Sequence, residues 1–465
     1  MKEIFYIDDT PANRIGYYFL LAFLVTLPFD RFYSELALIG LAGHTLLHPS
    51  FLLHPGAVLH SAAFLHPAAA GKASSHNVSS LHVNGWSLSW PGWLVASIYL
   101  LTVAGTFYSG HLAGAWPEWE KQLALLLFPL IAWFIQLDWR KYQQRLLKAF
   151  AISCLFTVLY LYAVAFRQII ALHLPLAALF SPAFINHAFS APIDLHATYL
   201  SMYCALSLIP CIRLTLQGGS WATLQAGSRL TRVFYGLATL ILLAAILQLA
   251  SRAVCISVIV ILNGSAFFFL KGRKSLRFLS VSLLLTLFSL AVVMSTPVFH
   301  TRYLQQLRQD LHGVTGVQDD PEPRMARWLC AWELIRASPW IGYGTGTETE
   351  LLKEKYYEHH LYDSYNHELN AHNQYLSFLL ETGLPGLLLY LALITAGFVQ
   401  AFRSRDPLFA GFLVIVSLVS FSENILEVNK GIFFFSFFFS FFFSKAVTPI
   451  FAGYGNKNTL PLVGS

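Results

Sequence analysis

Charge is what this sequence has least of. Only 12% of its 465 residues are Asp, Glu, Lys or Arg, against roughly 25% in an ordinary soluble domain, and 56% are hydrophobic. A soluble globular domain is excluded. Cysteine is scarce as well: Cys154, Cys204, Cys211, Cys255 and Cys330 form no CxxC pair, and four of the five lie in apolar runs. Neither a disulfide framework nor a zinc site is indicated; the cysteines read as small packing residues, and no metal or cofactor is expected. The basic excess is only +6, from 30 Lys and Arg against 24 Asp and Glu, and is parcelled into short loops. That distribution sets orientation in a membrane and does not build a nucleic-acid-binding face. The N-terminus, MKEIFYIDDTPANRIGYYFL, delays its apolar stretch and lacks a clear small-residue cleavage site, so the first span reads as retained.

What the chain has in quantity is apolar length. A crossing takes about 20 apolar residues, and candidate spans fall near 16–29, 34–53, 91–109, 121–137, 147–166, 194–212, 233–250, 253–270, 277–297, 374–399, 407–422 and 430–446. The expected fold is an all-α polytopic membrane protein of about 12 transmembrane helices with one large extracytoplasmic loop containing interfacial helices. Basic clusters set the sidedness: Arg140, Lys141, Arg145 and Lys148; Arg213, Arg229 and Arg232; Lys271, Arg273, Lys274 and Arg277; Arg403 and Arg405; and Lys445. All follow even-numbered spans or end the last, so both termini are expected in the cytoplasm.

The apolar stretch from Val233 to Leu270 is 38 residues long. As one helix it would reach about 57 Å, nearly twice the hydrocarbon core, so it must turn in the middle. The turn falls at Gln248 to Arg252, which places Arg252 at the outer face. Three regions follow: 1–297 with nine spans, 298–373 as the large extracytoplasmic loop, and 374–465 with three spans and a cytoplasmic tail. Seven histidines between His44 and His82, mixed with Pro, Ala and Ser, read as a cytoplasmic loop and not as a metal site. Ser436, Ser440 and Ser444 of FFFSFFFSFFFS are four apart and give one helix face small enough for close packing.

In the outer loop, Met325, Trp328, Trp332 and Ile335 recur at helical spacing. They predict an amphipathic helix whose aromatic face rests on the membrane surface, stopped by Pro339. Gly342, Gly344 and Gly346 then allow tight turns close to a ligand. His372 stands where the polar loop meets the tenth span, and a helix N-terminus keeps an imidazole neutral and favours an anion nearby. A hydrogen-bonded cap is the plainer role for such a histidine. Arg252 and Arg324 join it on the same side. Two guanidiniums suit a diphosphate, and a neutral imidazole suits deprotonation of a sugar hydroxyl. A structural ion pair with Glu333 or Glu423 is the alternative for an arginine at a membrane edge.

With these residues in view, the chain resembles the O-antigen ligase and polymerase superfamily of bacterial membrane glycosyltransferases. The resemblance rests on Ser251-Arg252 between two spans, on Arg324 before Trp328 and Ser338-Pro339-Trp340-Ile341-Gly342-Tyr343-Gly344, and on His372-Asn373-Gln374-Tyr375-Leu376 with Glu381-Thr382-Gly383-Leu384-Pro385-Gly386. Asp194-Leu195-His196-Ala197-Thr198-Tyr199 and Ser422-Glu423-Asn424 support it. The resemblance implies a bacterial inner-membrane enzyme with its active site facing the periplasm. The implied donor is a glycan on undecaprenyl diphosphate, the acceptor a hydroxyl of lipid A–core or another molecule, and the transfer metal-independent and inverting. It also implies His372 as general base and Arg252 and Arg324 as diphosphate ligands, with Arg327, Asn373 and Glu381 as weaker candidates. A polymerase using the same donor, a protein O-glycosylating transferase and a membrane transporter are the alternatives. The transporter fits least, because no half-to-half repeat is visible and the polar residues cluster at one face.

Overall fold

The computed structural model describes residues 2–47, 90–134, 137, 139–216, 229–269, 273–308 and 324–447. Of the histidine-bearing stretch 44–82, residues from His48 onward lie outside the described residues, as do Lys271 and the tail after 447. Among the described residues every regular element is helical. The first two long helices begin on side-chain caps: Thr10 Oγ1 accepts from Asn13 N before α1 (Pro11–Thr26), and Asp30 accepts from Tyr33 N before α2 (Arg31–Leu46). There follow α3 (Trp90–Thr106), α4 (Leu112–Phe134), α5 (Trp139–Ala171), α6 (Ala197–Leu216), α7 (Arg229–Leu249), α8 (Arg252–Phe269) and α9 (Arg273–Ser295). The polar segment contributes α10 (Arg324–Ala337) and α11 (Glu348–Glu358), and the chain continues through α12 (Gln374–Arg403), α13 (Pro407–Val419) and α14 (Asn429–Val447). Each apolar stretch read from the sequence overlaps one of these helices. Five of them, α5, α6, α7, α9 and α12, are long and apolar enough to cross a membrane, and α3, α8, α13 and α14 carry shorter apolar segments.

The long stretch from Val233 does turn in the middle, at Ala250, whose φ of 50° ends α7 before Arg252 opens α8. The phenylalanine-rich α14 is the central post, packed against α3, α4, α5, α6, α12 and α13. All its phenylalanines from Phe433 to Phe443 are buried, and Ser436 Oγ donates to Ala124 O of α4 at 2.7 Å, the close approach expected of the serine face. In α9, by contrast, only 11% of the apolar window is buried, so it presents its side chains outward.

Helix α12 is not continuous. Pro385 has no N–H to offer the carbonyl of Glu381, and Gly383, at φ 65° and ψ −156°, turns the chain out of the helix. The carbonyls freed on the first half are taken by the loop after α10: Tyr343 N donates to Leu380 O and Gly344 N to Glu381 O, both at 2.8 Å, while Leu384 N donates to Pro339 O at 3.0 Å. Two separated motifs, SPWIGYG and ETGLPG, are thus the two halves of one backbone interlock. The glycines let backbone approach backbone there; a Cβ at Gly344 would collide with the backbone of Ser109. The aromatic stripe of α10 is also split. Ile335 is buried with Cys330, Ala331 and Leu334 against Leu352, Tyr356 and Leu380, and only Trp332 stays exposed. The helix needs that inner face to dock on α11 and α12.

Hydrogen bonds gather the two ends of the bundle. At one end Tyr142 donates to Asp9 and Arg145 to Tyr6 O, and Arg213 feels the charge of Asp406. At the other, Asn186 N donates to Gln248 O, Tyr303 Oη to Leu247 O and Gln374 N to Ser420 O. Arg145 and Arg213 lie at the first end and the candidate site at the second.

Candidate functional site

His372 sits immediately before the cap of α12. The cap itself is Asn373, whose Oδ1 accepts from Tyr375 N at 3.1 Å and Leu376 N at 3.3 Å. Asn373 is buried and spent on that role, which removes the plain cap explanation from His372. His372 adopts φ 49°, a left-handed conformation costly for a residue with a Cβ, and its N–H donates to Asn370 Oδ1 at 3.0 Å. Trp328 of α10 reaches the same turn, its Nε1 donating to Ala371 O at 3.0 Å. A tryptophan spaced four residues after Arg324 thereby ties the arginine's helix to the histidine's turn.

Positive charge surrounds the imidazole. Burial, with smaller contributions from Arg327, Arg324 and His196, pushes His372 down to about 3. Arg324, at the start of α10, is 3.9 Å from Glu423, which also accepts from Thr198 Oγ1 at 3.3 Å. Arg327 lies one helical turn on and is 6% exposed. His196 is pushed down to about 4 by burial and by Arg324 and Arg302, and its Nδ1 accepts from Thr198 N at 3.3 Å. His187 lies against it, ring centroids 4.1 Å apart, and falls to about 4 through burial and His196. All three histidines are neutral at physiological pH.

The structure brings Arg324, Arg327 and His372 together. Arg252 joins one step removed: it opens α8 and acts with Arg302 on Tyr303, and Arg302 in turn acts on His187 and His196. Arg302 donates to Gln306 Oε1 at 2.7 Å; with its amide oriented to suit both neighbours, Asn186 accepts from Arg302 at 2.7 Å and donates to Leu249 O at 3.2 Å. Glu381 is elsewhere. Its Oε1 accepts from Gly346 N at 2.8 Å, and it faces Glu118, Glu348 and Glu427, away from the arginines. Sequence reasoning missed Arg302, His187 and the part played by His196. The available signal was Arg302 close behind the ninth apolar stretch, as Arg252 stands close behind the seventh.

Among the described residues, then, helices fit to cross a membrane surround a cluster of guanidiniums beside a neutral imidazole. Residues 237–391 match the family model described as O-antigen ligase. The chain is therefore O-antigen ligase-like across the segment that carries Arg252, Arg324, Arg327 and His372, as its motifs indicated. No curated protein matches the sequence.

Proposed function

We propose that this protein is a bacterial inner-membrane glycosyltransferase of the O-antigen ligase type, which moves a glycan from undecaprenyl diphosphate to a hydroxyl of lipid A–core at the periplasmic face. The observation that carries the proposal is the neutral, half-buried His372 inside a basin of guanidiniums. In this reading the helices form twelve spans with both termini cytoplasmic, and residues 298–373 form the periplasmic part. Arg252 and Arg324, with Arg327 beside them, grip the diphosphate. His372 takes the proton of the acceptor hydroxyl, the acceptor oxygen forms its bond to the anomeric carbon, and the carbon–oxygen bond to phosphate breaks. The electron pair leaves on the diphosphate, where the arginines stabilise it. Attack in line with the leaving group inverts the anomeric centre.

An imidazole near 3 is a weak base, and the electrostatics supply the remedy. Burial is the larger cause of the depression, but the cations that add to it are the ones a diphosphate would neutralise, so a bound donor raises the basicity of His372 part of the way back. Deleting the gene and examining surface glycan tests the reaction: long chains left on the carrier lipid support ligation, whereas single repeat units there would point to a polymerase. Glycan attached normally would overturn both.

A further inference from the structure

On the side of the His372 turn away from the arginines stand two carboxyl groups, Glu348 at the start of α11 and Glu427 in the turn before α14. Glu348 is 3% exposed, and its Oε1 accepts the Ala371 N–H at 2.8 Å. Glu427 Oε2 accepts from Asn370 Nδ2 at 3.0 Å, and Asn370 Oδ1 accepts the His372 N–H. The two acids are themselves joined. Ser377 Oγ hydrogen-bonds to both, and Asn424 Nδ2 donates to Glu427 Oε1 at 2.7 Å while lying 3.4 and 3.5 Å from the oxygens of Glu348.

A serine hydroxyl owns one hydrogen, so it can donate to only one carboxylate. The other close oxygen must bring a hydrogen of its own. The geometry therefore requires one proton on the pair. We propose that Glu348 and Glu427 are positioning residues, a carboxyl pair holding a single proton that clamps the main chain at Asn370 and Ala371 and so aims His372 at its substrate. The proposal rests on His372 being the base. A left-handed residue other than glycine persists only where its surroundings over-determine it, and here the residue before His372 and the acceptor of its own N–H are each held by one member of the pair.

Loss of the shared proton would set two anions against each other in a buried site. Facing Glu427 are Glu348 of α11, Glu381 of α12, Tyr199 of α6 and Glu118 of α4, the last beside Lys121. Acids outnumber the one lysine, so this field favours keeping the proton. Burial and Glu348 together push Glu427 up to about 8. A raised carboxyl keeps its proton at neutral pH and loses it as pH rises through that value, so turnover should carry an alkaline limb there.

The test uses the purified full-length protein with a lipid-diphosphate glycan donor. Glu348→Ala is expected to lower kcat about a hundredfold, the scale of a misaimed catalytic group, with little change in donor KM. Glu348→Gln, whose amide oxygen can still accept from Ala371 N–H, should recover most of that loss, and Glu427→Gln should abolish the alkaline limb. Equal activities in the Ala and Gln variants of Glu348, a loss confined to KM, or an unmoved limb in Glu427→Gln would each overturn the proposal. Because the Gln variants keep size and hydrogen bonding, they test it even if the Ala variant fails to fold. His372→Ala separates the levels: activity there overturns the base itself, whereas an inactive His372→Ala beside a fully active Glu348→Ala overturns only the clamp.

Discussion

The two flanks of the His372 turn differ in what their charges touch. On the basic flank, Arg324, Arg327 and His196 act on the imidazole through space, and the ion pair of Arg324 with Glu423 is long at 3.9 Å. On the acidic flank, Glu348 and Asn370 hold the backbone through hydrogen bonds of 2.8 to 3.0 Å. Loose long-range charge suits a group that must reorganise around an arriving anion, and short bonds to main chain suit a group that must not move. The same histidine thus feels charge from one flank and is tied through its neighbouring main chain to the carboxyls of the other.

Removing the group between the flanks should have the largest effect. His372→Ala is expected to lower transfer by a factor of about 10² to 10⁴, the usual contribution of a general base, with the protein still inserted; transfer of labelled glycan from purified donor is the measurement. Arg324→Ala comes next. It should cost about 10² or more in kcat/KM, and Arg324→Lys should restore only part, since an ammonium lacks the planar fork. The flanks can then be told apart by pH. Removal of the Arg324 charge should raise the pKa of His372, moving the acid limb of kcat/KM upward, because that limb reports the free enzyme. In the wild type the acid limb of kcat should lie at higher pH than that of kcat/KM, because the bound diphosphate favours the imidazolium. Coincident limbs would mean that donor and imidazole do not sense each other.

Acidification should separate stability from catalysis. His187 and His196 fall to about 4 from an ordinary 6.5, chiefly through burial. The unfolded chain then binds more protons than the folded one between those values, so stability is complete above 6.5 and falls as pH drops toward 4; both residues are exposed to solvent, which screens the effect and keeps the loss small. Melting in detergent at pH 7 and pH 4.5 should show a fall in Tm, and His196→Gln should lessen it. An unchanged Tm difference in that variant would show that the site end does not limit unfolding.

How much of this was legible beforehand follows from the range of each interaction. Apolar runs and proline are local signals, so the helices and the break at Ala250 could be read, and Arg252 and His372 stood out as polar groups at span ends, with Arg324 on the helix of the outer loop. The serine face of α14 was legible for the same reason, and Ser436 does seat on α4. What spacing could not reveal is partnership across the bundle. Met325, Trp328, Trp332 and Ile335 have the period of a surface stripe, yet Trp328 serves the His372 turn and Ile335 is core. The glycines at 342–346 have the look of a ligand loop, but Pro385 frees a carbonyl that this loop comes to occupy. Glu348 and Glu427 are 79 positions apart by their numbers, so no local pattern joins them.

The interlock offers the next perturbation in size. Gly383→Ala places a Cβ against the Trp340 carbonyl at φ 65°, and a strained left-handed alanine costs about 1–3 kcal/mol. Since the interlock supports the turn from below without touching His372, Tm should fall while kcat per folded molecule holds.

Trp328→Phe is the finest probe of the comparison. It removes one donor to Ala371 O and keeps most of the ring, so the stability change should be only about 1 kcal/mol. Its use lies in direction: Ala371 is held through its carbonyl by α10, which carries Arg324, and through its N–H by Glu348 of α11. If the acidic flank alone sets the position of His372, Trp328→Phe should leave kcat near wild type and add nothing to Glu348→Ala. If instead the arginine helix and the carboxyl pair grip the turn jointly, the double variant should lose more than the product of the single losses, because each tie then limits the freedom left by the other.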